Sequence, residues 1–76
     1  MKLSAAKTKF RACYFDNVEI RRNPGDISEY IALLHGRDGK SFMLCDENDA
    51  VISSLELEQL VLMLQQVGFR KAKIYF

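Results

Sequence analysis

Two turn signals punctuate the first half of this chain, and they restrict what can lie between them. At Asn23-Pro24-Gly25-Asp26, proline presets φ for the second turn position, and glycine supplies the positive φ that a type II turn needs at the third. At Arg37-Asp38-Gly39-Lys40, Asp-Gly suits a tight type I′ hairpin. Between them, residues 28–36 form a nearly continuous apolar run, and residues 41–47 read as its return strand. Upstream, residues 8–22 are rich in aromatic and β-branched side chains and read as one or two strands, with Asp16-Asn17 as a turn or a bulge. Val18 and Ile20 then face one way, and Glu19 and Arg21 the other.

The second half changes period. Ser53 reads as a helix N-cap, Glu56 completes a capping box, and Ile52 with Leu57 forms a hydrophobic staple. Glu56 and Glu58 complement the helix dipole, and Gly68 suits the C′ position. Leu57, Leu60, Val61, Leu64 and Val67 recur at helical spacing and make the core stripe. After Gly68, alternation returns: Ala72, Ile74 and Phe76 would face the helix, and Lys71, Lys73 and Tyr75 would face out.

These elements predict a single α+β domain over residues 1–76. A small antiparallel sheet, a β-meander of three to four strands, carries one α-helix on one face, and a C-terminal strand follows the helix. Residues 1–7 are expected to be a flexible basic N-terminus. The expected core is Tyr14, Val18, Ile20, Ile31, Leu33, Phe42, Leu44, Leu57, Leu60, Val61, Leu64, Ile74 and Phe76.

At 76 residues such a core is small, and scaffolds of this size often lean on disulfides, metals or a partner subunit. The chain is 49% hydrophobic and 28% charged, the balance of a folded chain rather than a disordered one. No apolar run reaches the length of a membrane span, and MKLSAAKTKF lacks the apolar stretch of a secretory signal. The cytoplasm is the expected compartment, with no membrane contact. Cys13 and Cys45 are too few for a disulfide framework and read as buried free thiols.

Chemistry finds little footing. His35 is the single histidine, and nothing in the spacing brings Cys45 into the reach that a Cys-His nucleophile needs. Cys13, His35 and Cys45 are isolated, without the paired spacing of a metal site. Asp46, Glu47 and Asn48 resemble the start of a calcium loop, but Ala50 occupies the fifth position and the next glycine is missing. No glycine-rich phosphate loop is present. No enzyme, cofactor, metal or small-molecule substrate is expected.

Interaction is the stronger expectation. Leu55 and Leu62 fall opposite the core stripe among Glu58, Gln59, Gln65 and Gln66, with Met63 at the margin. Together with Lys73 and Tyr75 on the last strand, Leu55, Leu62, Met63, Gln59 and Gln66 make a predicted protein interface. The chain then reads as a small self-associating adaptor, inhibitor or regulator, a homodimer or the binder of another protein. On this reading Leu62→Glu abolishes association.

The alternative is nucleic acid. Net charge is only +1, but the chain has basic ends and an acidic centre. Lys9, Arg11, Arg21, Arg22, Arg70, Lys71 and Lys73 could form a basic sheet face for single-stranded DNA or RNA, with Tyr14, Tyr30 and Tyr75 as rings having a wet edge. Strands followed by a helix resemble, in element order alone, small dimeric single-strand binders of the Pur type. One contiguous basic face favours nucleic acid; scattered charges favour a protein partner.

Overall fold

The computed structural model describes residues 1–75. Helix α1 (Leu3–Arg11) leads into strands β1 (Phe15–Asn23), β2 (Asp26–Gly36) and β3 (Ser41–Met43). Helix α2 (Leu57–Val67) and strand β4 (Lys73–Ile74) follow. The sheet order is β3-β2-β1-β4. The first three strands are antiparallel, and β4 runs parallel to β1 through the pairs Glu19↔Lys73 and Ile20↔Ile74. The fold is therefore α+β with a strand after the last helix. The described residues hold two helices rather than one.

The added helix is α1. Leu3, Ala6 and Phe10 sit on one face, and Ala6 is fully buried against the core formed by Val18, Ile20, Ala32, Leu34, Leu60 and Leu64. Lys9 and Arg11 occupy its last turn, where they complement the dipole. Residues 1–7, expected as a flexible basic tail, include the lead-in and first turn of α1. The Met1 carbonyl accepts from Cys45 N–H at 2.7 Å, and Leu3 N–H donates to the Cys45 carbonyl at 2.9 Å. Lys9 and Arg11, expected on a strand, lie on this helix. The aromatic content of residues 8–15 suggested strand, but Ala5 and Ala6 provide a helical start that burial then fixes.

Asp16 forms a bulge. Phe15 stands opposite Gly36, and Asn17 stands opposite His35. The extra residue re-phases the strand, so Phe15 and Val18, three apart, both reach the core. The turn at residues 23–26 is not type II, because Gly25 has no positive φ. Instead Asn23 Oδ1 accepts the Gly25 N–H at 2.9 Å. The second hairpin stands, with a wider tip than expected. Gly36 N–H donates to the Lys40 carbonyl at 2.8 Å. Only Gly39 in that loop is left-handed, at φ 85°, as in a three-residue loop rather than a type I′ turn.

Strand β2 is apolar on both faces, and its phase differs from the expected core. Ala32 and Leu34 face the helices, while Ile31 and Leu33 face the other side. Ile31 is still buried at 2%. Tyr14, Leu33, Phe42, Leu57 and Val61 are only half-buried, and Ile74 is exposed. Phe76 lies outside the described residues. Ala6, Phe15, Ala32, Leu34 and Val67 complete the core.

Helix α2 begins at Leu57, later than the capping box implied. Ser53 and Ser54 are engaged elsewhere. Ser53 Oγ accepts from Asn23 Nδ2 at 3.0 Å, and Ser54 exchanges two backbone hydrogen bonds with Tyr30 at 2.8 and 3.1 Å. Ser54 Oγ accepts the Glu56 N–H at 3.1 Å and donates to Gln59 Oε1 at 2.8 Å. The helix ends at Gly68, with φ 130°. Among the described residues no helix is long and apolar enough to cross a membrane.

Candidate interaction groove

Past Gly68 the chain crosses one end of the sheet. Phe69 packs edge-on against Phe10 at 5.0 Å and tilts over Phe15 at 5.4 Å. Residues 70–72 then run beside β1 without joining the ladder, which starts only at Lys73. A groove of about 750 Å³ separates the two, lined by Phe10, Phe15, Asp16, Asn17, Val18, Gly68, Phe69, Arg70, Lys71, Ala72 and Lys73. A side recess of about 70 Å³ reaches toward Val61, Leu64 and Gln65 of α2. Along Phe15–Val18, β1 has β2 on one side and, among the described residues, no paired strand on the other. Buried Asn17 Oδ1 has no hydrogen-bond partner among the described residues. Nor do Arg70, Lys71 and Lys73 take part in any ion pair there. The groove is aromatic inside and basic at its rim, with Asp16 its one acid.

The predicted interface residues do not form one patch. Leu62 is 52% exposed on the outer side of α2, amid exposed Glu58, Gln59, Gln65 and Gln66. Met63 is half-buried. Leu55, 67% exposed, precedes the helix, so helical spacing does not align it with Leu62. Lys73 and Tyr75 lie on the sheet face away from the helices, where the Tyr75 ring stacks on the Arg21 guanidinium at 4.7 Å.

The basic set is scattered as well. Arg21 is on the outer face, donating to Glu19 at 2.7 Å. Arg22 points to the opposite face, lies over the Tyr30 ring at 4.7 Å, and donates to the Ile27 carbonyl at 3.0 Å. Lys9 sits over Tyr14 at 5.1 Å. No single sheet face gathers Arg21, Arg22, Lys71 and Lys73.

Charge is sorted along the strands instead. The Asn23–Ser53 and Tyr30–Ser54 contacts bring Asp26, Glu29, Glu56 and Glu58 to one end, with Arg22 among them. At the other end, Arg37 N–H donates to the Tyr14 carbonyl at 2.9 Å. That contact joins Arg37 and Lys40 to the end of α1, near Lys9, Arg11, Arg70 and Lys71. Asp38 is taken up there by Tyr14, whose hydroxyl donates to it at 2.7 Å. That bond holds the Asp38 carboxyl below the usual aspartate range and raises the tyrosine.

On the outer face, His35 Nδ1 meets Ser41 Oγ at 2.7 Å. His35 Nε2 is 3.4 Å from Glu19 Oε1, close enough for an ion pair but not aligned as a hydrogen bond. The Arg21 hydrogen bond holds the Glu19 carboxyl below its ordinary range. Cys13 is exposed, not buried as expected, because it occupies the left-handed turn after α1 at φ 59°. Cys45 is half-buried, and its thiol donates to the Met43 carbonyl at 3.4 Å. Asp46 Oδ1 accepts Asn48 and Ala50 N–H groups of its own loop at 2.8 and 3.1 Å. Among the described residues no group of three His, Cys, Asp or Glu side chains is placed to hold a metal.

The groove was not among the sequence expectations. The sequence pattern places Phe10 and Phe15 on strands, and their convergence with Phe69 depends on α1. The one available signal was Phe69 directly after the helix-ending Gly68, where an apolar side chain folds back on the preceding turn. No protein-family model, curated protein or solved structure matches the chain.

Proposed function

We propose that this chain is a non-enzymatic protein-interaction module that self-associates, acting as an adaptor, inhibitor or regulator. Its partner segment is taken into the groove between β1 and residues 69–73. The open β1 edge at Phe15–Val18, lying beside Phe10, Phe15 and Phe69, carries this reading. A segment docked there sets an apolar side chain against the aromatic lining, beside the main-chain groups of the edge. A basic rim selects segments that carry acids.

Ala72 is exposed and lines both the groove and its side recess. Ala72→Trp fills that space from an exposed position. In sedimentation at several concentrations, Ala72→Trp is expected to remain monomeric where the unaltered protein associates. Leu62→Glu, on the outer side of α2 and not among the residues that line the groove or its recess, is expected to associate normally. Association by Ala72→Trp at the unaltered strength would reject the groove as the site.

A nucleic-acid partner is the second reading, supported by the basic end that holds Lys9, Arg11, Arg37, Lys40, Arg70 and Lys71. Adding a labelled single-stranded oligonucleotide to the same runs separates the two readings. Salt-sensitive co-sedimentation that does not depend on Ala72 would favour nucleic acid.

A further inference from the structure

We infer that the groove receives the Leu55 side chain of a second copy, presented on the bend between Ser54 and helix α2 in the sequence Ser-Leu-Glu-Leu-Glu, residues 54–58. This rests on the groove reading above and names its occupant. Leu55 is 67% exposed, and it projects from a fixed base. Ser54 is bound to Tyr30 through both its N–H and its carbonyl, at 3.1 and 2.8 Å. Its hydroxyl holds the Glu56 N–H and Gln59. An apolar side chain presented on an ordered bend loses little conformational freedom on binding.

The chemistry of the two surfaces is complementary. The segment sets Leu55 between acids, exposed Glu56 and Glu58 on its helix side and exposed Asp26 and half-buried Glu29 on the neighbouring strand. The groove sets aromatic rings beside Arg70, Lys71 and Lys73, none of which has an ion-pair partner among the described residues.

The contact must join different copies. Ser54 is fixed opposite Tyr30, which pairs with Arg22. Val18, the nearest β1 residue of the groove, is about 13 Å back along the strand at the ordinary rise. A pinned segment cannot cross that distance, so Leu55 of one copy can enter only the groove of another. Donor and acceptor surfaces are distinct. A copy that has lost one can still offer the other.

This allows a mixing test on the full chain. One variant, Leu55→Lys with Glu56→Lys, loses the segment. The other, Ala72→Trp with Lys71→Glu, loses the groove. All four positions are exposed, and circular dichroism with a thermal melt checks that both variants stay folded. Each alone is expected to sediment as a monomer where the unaltered protein associates. Mixed in equal amounts, they are expected to form a one-to-one pair, because only one intact groove and one intact segment remain, and the pair should weaken as salt rises.

Association of the segment variant alone at the unaltered strength would overturn this occupant. If the groove variant alone stayed monomeric in that case, the groove reading would survive. Association of the groove variant alone would overturn both. A mixture that stays monomeric, or an unaltered protein that is monomeric at every concentration, would also reject the inference.

Discussion

Gly68 meets two demands at one position. Its φ of 130° suits only glycine, and a Cβ there would run into the Phe10 ring. Gly68→Ala is therefore expected to lower stability by about 1–3 kcal/mol, seen as a lower urea midpoint with little change in slope. A helix end at Gly68 was legible from the sequence; the Phe10 contact was not, because it depends on a helix that residues 8–15 concealed. Tyr14 and Asp38 show the same gap, being 24 positions apart yet hydrogen-bonded. Asp38 titrates low in the folded state because of that bond. Its contribution to stability is present above the ordinary aspartate pKa and is lost as pH falls through the lowered value. Tyr14 is shifted upward, so its share holds below the ordinary tyrosine pKa and fades as pH rises through the raised value. Tyr14→Phe should return the Asp38 carboxyl toward the ordinary range in an NMR titration. An unchanged titration would mean the bond is not what lowers it.

At the scale of elements, legibility followed the clarity of the period. The hairpin of β2 and β3 and the stripe of α2 were readable because turn residues and repeat spacing agreed. Strand β2 hid its phase, since Ile31, Ala32, Leu33 and Leu34 are all apolar and alternation cannot choose between the faces. The start of α2 misled for another reason: Ser53 and Ser54 serve the sheet, so a correct capping pattern marked the wrong residue. Strand β4 was foreseen as a strand, while its parallel pairing and its shortness depend on where α2 returns the chain. Two register pairs attach it to β1, which makes it an element of low local stability. The Tyr75 amide, bonded to the Ile20 carbonyl at 2.8 Å, is expected to exchange its hydrogen well before the amides in the centre of β1 and β2. Equal protection would mean that β4 opens only with the whole fold.

For the whole molecule, which measures 33 × 26 × 22 Å, part of the charge separates. Asp26, Glu29, Glu56 and Glu58 gather at one end and Lys9, Arg11, Arg37, Lys40, Arg70 and Lys71 at the other, while Lys2 meets Asp49 at 3.9 Å. The sequence revealed the blocks of charge but not their axis, because α1 and residues 69–71 meet only after folding. With a net charge of +1, copies repel one another only weakly as point charges, and the separation between the two ends adds a dipolar part to the field around each. Two copies approaching in dilute salt therefore exert a torque on each other and rotate, basic end toward acidic end, before any side chains touch. Such pre-alignment enlarges the fraction of collisions that are productive. Added salt would then reduce the rate at which copies find each other more than it shortens the lifetime of a pair already formed.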